Sequence, residues 1–279
     1  MDLESQFLGH KNNISQKVRI AKGEHAAIAA DVFEKYKDFE SNLQFPDGIS
    51  DIPFGAVKCL NSYVDFAKDV ESKHSIFNWR SNFAGSIIPE FFYRYLVWRL
   101  SQLKLSAVFS TKDSIVDATF STTESGGIHI RQKDQDLCVG VRREKLICGG
   151  KTYEFVAPAV SCEVKTNIDI NKLNGLDFSA ERLKRSFPSA RYFLITETID
   201  FSLKDNYAAG FVDEVFVLRK QVRSVARRTK APIEADVVKA AADVMIEILA
   251  RAWISARHVY DRLPTGRLIR FEEIKAIVK

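Results

Sequence analysis

Two residues of opposite charge lie inside an apolar, strand-like segment, Ala159-Val160-Ser161-Cys162-Glu163-Val164-Lys165. Side chains alternate between the two faces of a strand, so Glu163 and Lys165 point to the same side. Burying both charges costs desolvation free energy, which a fold tolerates most readily where the charges do chemistry. A carboxylate that holds a divalent metal ion, beside a lysine that stabilises a developing oxyanion, is suited to the hydrolysis of a phosphodiester.

The spacing Glu-any-Lys is not selective by itself, because it also occurs at Glu71/Lys73 and Glu273/Lys275. Those two pairs lie in polar or amphipathic segments that are typical of solvated helix faces. Only Glu163/Lys165 falls in an apolar run that is typical of a strand. Its structural alternative is an ion pair within that strand.

A metal-dependent hydrolytic centre needs more than one carboxylate. Asp136 directly precedes the apolar run 137–141 and stands 27 residues before Glu163, a distance that a hairpin and its turn can span. Asp134 is the competing choice, and Asp136 is preferred because it adjoins the predicted strand. A structural alternative for Asp136 is a residue that caps a turn.

Asp136, then Glu163-Val164-Lys165, then a polar crossover and the apolar strand 190–196 together resemble the core of the PD-(D/E)xK nucleases. The resemblance implies that Asp136, Glu163 and the carbonyl group of Val164 hold Mg²⁺. It also implies that Lys165 orients the attacking water or stabilises the charge on the phosphate. No cofactor other than the metal ion is implied.

Two further positions bear on this resemblance. Gln135 stands where the family usually has a proline before the aspartate. Many members add a glutamate from the preceding helix, and Glu90, an acidic residue within a strongly apolar helix, is placed for that catalytic role. The alternative for Glu90 is a structural ion pair with Arg94 at the i,i+4 spacing of a helix.

The segment 86–92, the two acidic motifs and the segment 212–221 also resemble type II restriction endonucleases, and among them those of the BbvCI kind, over roughly residues 80–225. In that kind each of two related subunits cuts one strand of an asymmetric site. The resemblance implies a Mg²⁺-dependent subunit that acts on double-stranded DNA with a second, identical or related, nuclease subunit. Alternatives are a repair or junction-resolving nuclease with the same core, or a non-catalytic DNA-binding partner subunit.

A basic segment at 219–230 contains six cations in twelve residues and no acid. Each cation could neutralise a DNA phosphate and release counterions, whereas the alternative is a solvated loop or helix face. Lys184/Arg185 and Arg142/Arg143 are weaker candidates. The predicted DNA-backbone contacts are Arg219, Lys220, Arg223, Arg227, Arg228 and Lys230.

The bulk composition sets limits on the class of protein. The chain has 279 residues, a net charge of +5 and 46% hydrophobic residues, enough for a substantial core and compatible with a polyanionic partner. The polar start and the lack of any apolar run of roughly 20 residues predict neither a secretory signal nor a membrane span. The four cysteines show no metal-site spacing and indicate reduced core thiols, so we expect a cytoplasmic protein without disulfides. The resemblance to restriction endonucleases implies a bacterial one.

The order of predicted elements indicates an α/β protein with a mixed sheet, preceded by a helical region. The resemblance implies that this sheet belongs to the αβββαβ core of restriction endonucleases. We expect residues 1–105 to form that helical region, for recognition or subunit contact, and 106–279 to form the nuclease core with a C-terminal helix. Helices are predicted at 23–43, 53–71, 86–103, 171–185 and 231–259. Strands are predicted at 114–121, 128–131, 137–141, 145–147, 152–156, 160–164, 190–196 and 212–218.

Overall fold

The computed structural model describes residues 7–46, 53–78, 82–111, 114–121, 127–202, 210–252, 260–261 and 263–265. Four helices precede the first strand: α1 (Gly9–Ile20), α2 (Glu24–Asn42), α3 (Phe54–Lys73) and α4 (Ile87–Gln102). Apolar and aromatic residues recur at helical spacing in the last three, and the structure confirms those helices. The sequence does not predict α1, because only His10 and Ile14 of this helix are buried and its apolar periodicity is therefore faint.

The main sheet has five strands in the spatial order β1-β4-β5-β6-β7. The pairs β1/β4 and β4/β5 are antiparallel, and the pairs β5/β6 and β6/β7 are parallel. The predicted mixed sheet of the restriction endonuclease core is therefore confirmed. The strand bounds are β1 Val108–Ser110, β4 Leu137–Cys148, β5 Lys151–Asp169, β6 Arg191–Asp200 and β7 Glu214–Val217.

The strands β4 and β5 form one long hairpin where the sequence predicts four short strands. Its turn lies at Gly149-Gly150, and both glycines have positive φ, a conformation that residues with a Cβ atom rarely adopt. The pairing register shifts at Gly140, where a Cβ atom would clash with the carbonyl oxygen of Ala157. This register shift is a β-bulge, which bends the β4–β5 hairpin without ending it. The polar residues 142–144 therefore lie inside a strand rather than in a turn.

A smaller two-stranded antiparallel sheet consists of β2 (Ser114–Ser121) and β3 (Gly127–Lys133). The predicted strands at these positions are confirmed. The smaller sheet packs on the crossover helix α5 (Ile170–Ser186), where Arg182 donates to Asp117 across 3.2 Å. Because β3 ends three residues before Asp136, the smaller sheet leads directly into the predicted site.

Helix α5 connects the parallel strands β5 and β6. Asp169 caps its first turn by accepting a hydrogen bond from the backbone of Lys172 at 2.9 Å. The buried face of α5, which includes Leu173 and Leu183, packs on Leu194 and Tyr192 of β6. The predicted polar crossover is confirmed as a helix that covers one face of the sheet.

The opposite face of the sheet is covered by α4 and by α7 (Ala235–Ala252), which follows the short helix α6 (Arg223–Thr229). The predicted C-terminal helix begins at residue 235 rather than 231, and its last part, 253–259, lies outside the described residues. Short 3₁₀ turns occur at Ser75–Phe77, Ala84–Ser86 and Leu263–Thr265.

One hydrophobic core joins the helical region to the sheet. Tyr36 and Phe91 from the helices belong to the same buried cluster as Val160 of β5 and Met245 of α7. The division of the chain into a helical region, 1–105, and a nuclease core, 106–279, stays a prediction. The hydrophobic core contains residues from both sides of this boundary. The four cysteine thiols are free. None of the helices in the described part of the chain combines the length and the hydropathy of a membrane-spanning helix.

Candidate active site

Neighbouring strands bring three of the predicted site residues together. Glu163 and Lys165 lie on one face of β5, as the alternation of side chains predicts. The antiparallel register pairs Leu137 of β4 with Cys162 of β5, which places Asp136, one residue before β4, beside Glu163. The hairpin therefore assembles residues that are far apart in the chain.

The ammonium group of Lys165 bridges the two carboxylates. Its Nζ atom lies 2.7 Å from Glu163 Oε2 and 3.1 Å from Asp136 Oδ2. The backbone N–H of Val164 donates to the same Asp136 oxygen at 2.7 Å. The carbonyl group of a strand residue points to the same side as its N–H, so the carbonyl of Val164 also faces Asp136.

This donor set fits a hard divalent cation. Among the described residues no group of three or more His, Cys, Asp and Glu side chains could hold a metal ion, so the oxygen atoms available near Lys165 are those of the carboxylate pair and of backbone carbonyl groups. The carboxylates of Asp136 and Glu163 already share one cationic group, the ammonium of Lys165, within hydrogen-bond distance of both. Carboxylate and carbonyl oxygens are the ligands that Mg²⁺ prefers.

Burial and mutual charge move the pKa values of this group in different directions. Burial, followed by the negative charge of Glu163, raises the pKa of Asp136 above its ordinary value despite the opposing effect of Lys165. Burial disfavours the charged form of Glu163, but Lys165 and Lys133 outweigh burial and lower its pKa. Burial opposes the charged form of Lys165 too, yet the two carboxylates raise its pKa, so its ammonium group stays protonated at neutral pH.

The sequence analysis missed Lys133. This residue ends β3, and its Nζ atom lies 2.7 Å from Glu163 Oε1. Each oxygen of Glu163 therefore has its own lysine. No local signal could have identified Lys133, since its contact with Glu163 joins two different sheets.

Gln135 has a structural reason to replace proline. Its backbone N–H donates to the carbonyl oxygen of Thr111 at 3.2 Å, a hydrogen bond that proline cannot make. The bond ties the segment after β1 to the residue before Asp136. The position before the predicted metal ligand is thus anchored by a backbone contact.

Glu90 lies in a different cluster, and the structure does not bring it into contact with Asp136, Glu163 or Lys165. Its Oε2 atom accepts from the backbone N–H groups of His10 and Lys11, both at 3.0 Å, and so caps the first turn of α1. The other oxygen, Oε1, accepts from the hydroxyl group of Tyr36 at 2.5 Å.

Arg94 completes the surroundings of Glu90, at 3.3 Å from Oε1. The ion pair that the sequence analysis gives as the structural alternative is therefore present. The contacts favour this structural alternative over the catalytic role, which stays a prediction, because four donor groups within the helical region already use the two oxygen atoms of Glu90.

The basic segment separates into buried and exposed cations. Arg219 is only 8% exposed and donates to Glu197 at 2.8 Å and to the carbonyl oxygen of Ala231. It is therefore a structural residue rather than a DNA contact, which corrects the prediction. Lys220 is exposed but forms an ion pair with Asp236.

The remaining four cations lie on α6 or at its end. Arg223 is 3.7 Å from Asp200, whereas no ion pair involves Arg227, Arg228 or Lys230 within the part of the chain that the structure describes. Val222, just before α6, bridges to Ile199 near the carboxyl end of β6. Helix α6 thus begins at the carboxyl end of β6, three residues beyond Thr196, the β6 partner of Lys165.

The weaker basic candidates already have partners. Lys184 pairs with Asp213 at 2.6 Å and Arg185 with Glu181 at 2.5 Å. Arg142 pairs with Glu144, while Arg143 donates to the carbonyl oxygen of Phe109 at 3.2 Å. Unlike Arg227, Arg228 and Lys230, these four residues therefore all have acidic or carbonyl partners within the described part of the chain.

Comparison with known proteins agrees with this architecture. The sequence profile of the Bpu10I restriction endonuclease family matches residues 85–249. A chain in the solved structure of the native BbvCI A2B2 tetramer at low resolution is 37% identical to this chain and superimposes with a TM-score of 0.68. That match covers 88% of this chain and 95% of the other. No match is found among curated proteins.

Proposed function

Because the chain belongs to the Bpu10I restriction endonuclease family, we propose that it is a catalytic subunit of a type II restriction endonuclease. It hydrolyses a phosphodiester bond of double-stranded DNA at a specific site. The observation that carries the proposal is that Lys165 bridges the buried carboxylate of Glu163 and the partly buried carboxylate of Asp136, at 2.7 and 3.1 Å. Two carboxylates brought together around one ammonium group cost desolvation and repulsion free energy, which binding of a divalent cation would offset.

Asp136, Glu163 and the carbonyl group of Val164 would hold Mg²⁺ in this proposal. The ion would supply Lewis acidity, which neutralises charge on the phosphate and lowers the pKa of a water molecule. Lys165 donates hydrogen bonds from a protonated ammonium group, so it can orient that water or stabilise the negative charge of the pentavalent phosphorus. Val164 N–H holds Asp136 in place through its 2.7 Å hydrogen bond.

DNA binding engages the exposed cations of α6. Their exposure, together with the absence of ion pairs for Arg227, Arg228 and Lys230 among the described residues, supports contacts with backbone phosphates of the DNA. The helical region, 1–105, is the proposed place for base recognition or subunit contact. The DNA sequence that is read depends on base contacts in the grooves.

A second subunit completes the enzyme. A single centre of this kind cuts one strand, so a double-strand break needs another centre. The A2B2 assembly of BbvCI, to which the chain is similar, supports pairing with a related rather than an identical subunit.

The test uses a supercoiled plasmid and the purified chain in Mg²⁺, in Ca²⁺ and in excess EDTA. We expect strand breaks at discrete positions in Mg²⁺, none in EDTA, and binding with little cutting in Ca²⁺. Lys165→Met should abolish the breaks, whereas Lys172→Met, a matched change at a surface lysine of α5, should leave them unchanged. Breaks confined to branched DNA would favour a repair nuclease, and binding without breaks a non-catalytic partner subunit.

A further inference from the structure

Glu163 is held between two lysines that come from different sheets. Lys165 follows it on β5, and Lys133 reaches it from the end of β3. Both Nζ atoms lie 2.7 Å from a Glu163 oxygen, and both lysine side chains are 35% exposed, while the Glu163 side chain is 7% exposed. The carboxylate is therefore buried between two cations that each retain access to solvent.

Lys133 is anchored on both sides of its position in the chain. On one side its strand pairs with β2, whose Asp117 contacts Arg182 of α5 at 3.2 Å. On the other side Gln135 donates its backbone N–H to Thr111 at 3.2 Å. Holding a long lysine side chain in one conformation costs conformational entropy. The contact with Glu163 offsets that cost, whereas a solvated surface lysine would have no such contact.

The charges around Glu163 constrain what a divalent ion can do there. Asp136 and Glu163 carry two negative charges, and Lys133 and Lys165 carry two positive ones, so the four side chains are together neutral. A divalent ion that binds the two carboxylates repels both ammonium groups. Lys165 also contacts Asp136, whereas no carboxylate other than Glu163 forms an ion pair with Lys133 among the described residues. Lys133 is consequently the cation that can leave with the smaller loss of contacts.

We propose that Lys133 competes with the divalent ion for Glu163, so that it holds the carboxylate in place until the ion binds. This inference rests on the proposed function, since it concerns the same metal site. Lys133 acts through Glu163 and is a positioning residue. It keeps a buried carboxylate neutralised without the ion, which avoids an unpaired charge in the centre, and it sets the metal concentration at which the centre assembles.

The experiment measures binding of Mn²⁺ to the chain by calorimetry, without DNA, so that the result does not depend on cleavage. Lys133→Met removes the competing charge and keeps the length of the side chain. We expect its dissociation constant for Mn²⁺ to be about tenfold lower than that of the wild type. Lys133→Gln should show the same direction, and Lys133→Arg, which keeps the charge, should bind Mn²⁺ like the wild type.

Lys68→Met is the matched control. Lys68 is a partly exposed lysine that pairs with another buried glutamate, Glu197, outside the candidate site. This control should leave the Mn²⁺ affinity unchanged, and an equal gain there would overturn the proposal. An unchanged or weaker affinity for Mn²⁺ in both Lys133→Met and Lys133→Gln would also overturn the proposal, provided that the wild type binds Mn²⁺ through Glu163. If the wild type shows no Mn²⁺ binding that Glu163→Gln removes, the proposed metal site fails as well.

Discussion

Glu163 and Glu90 are both buried glutamates within apolar segments, but their partners are of different kinds. Glu163 contacts the ammonium groups of two lysines whose side chains are 35% exposed. Glu90 accepts from backbone N–H groups at the start of α1, from the buried Tyr36 and from Arg94. A buried acid therefore does not by itself indicate a catalytic centre; the kind and the exposure of its partners separate the two cases.

A third buried glutamate, Glu197, falls between these extremes. Its side chain is 2% exposed and contacts Lys68, which is partly exposed, and Arg219, which is buried. Arg219 in turn donates to the carbonyl oxygen of Ala231, so this ion pair fastens the segment before α7 to β6. Among the described residues, no second carboxylate contacts Lys68 or Arg219 as closely as Asp136 contacts Lys165, which favours a structural role for the pair.

The largest expected effect comes from removing the charge of Glu163. Glu163→Gln should lower the single-turnover rate of strand cleavage on the order of 10³-fold or more, because it removes a metal ligand and with it several kcal/mol of transition-state stabilisation. The free energy of unfolding should change little, since both lysines can return to water. A single-turnover assay on plasmid DNA, with chemical denaturation as the control, measures both quantities. Near-normal cleavage by this variant would place the catalytic centre elsewhere.

Glu90→Gln should affect the stability of the fold strongly and cleavage little, the opposite of what we expect for Glu163→Gln. Glu90→Gln removes the buried charge that caps α1 and pairs with Arg94, so we expect the free energy of unfolding to fall by about 3 kcal/mol. Cleavage per folded molecule should stay within a few-fold of the wild type, because Glu90 has no contact with the Asp136 and Glu163 pair. Denaturant titration and an active-fraction assay test this. A cleavage defect as large as that of Glu163→Gln, in a fully folded variant, would favour the catalytic role.

A smaller effect is expected on DNA affinity. Neutralising Arg223, Arg227 and Arg228 together should weaken binding to all sequences alike and flatten the plot of log K against log salt by about 0.9 per lost phosphate contact. The matched control neutralises Lys145 and Lys151 on the β4–β5 hairpin and Lys172 on α5, which changes the charge equally. Equal slopes for the two triple variants would identify α6 as a solvated surface. A change in the sequence that is cut would instead show that these residues contact bases.

The smallest effect concerns the pH dependence of stability in the helical region. Burial lowers the pKa of His10 from 6.5 to about 3, so the folded chain keeps this imidazole neutral while the unfolded chain protonates it below pH 6.5. The free energy of unfolding should therefore fall as the pH drops from 6.5 towards 3, by about 1.4 kcal/mol per pH unit for this one proton. Denaturation of the wild type and of His10→Gln at pH 7, 6 and 5 isolates the contribution. Parallel losses in the two proteins would contradict it.

The strands and the carboxylate pair could be predicted because their signals are local. Alternation of side chains places Glu163 with Lys165, and the apolar run after Asp136 identifies the neighbouring strand. The bounds of β4 and β5 were predicted less well, because the bulge at Gly140 lets β4 continue through charged residues. Helix α1 was missed because its stability depends on Glu90, which is distant in the chain.

The basic segment 219–230 shows the same limit of prediction from sequence, here for charged residues. In the sequence, Arg219 and Arg227 are equivalent cations of one run. In the structure, Arg219 forms an ion pair with Glu197, a buried acid on β6, whereas Arg227 is exposed on α6. Composition can count the cations of a segment, but it cannot tell which of them are already neutralised by acids from other elements.

The sequence by itself determined the mixed sheet, the crossover helix and the grouping of Glu163 with Lys165, because periodicity and turn residues act between near neighbours. Only the tertiary structure decided that Lys133 joins this group, that Glu90 caps α1 and that Arg219 is buried. Each of these three facts depends on a contact between elements from distant parts of the chain. The free energy of such a contact depends on which buried charge meets which donor, and that is settled only when the elements pack.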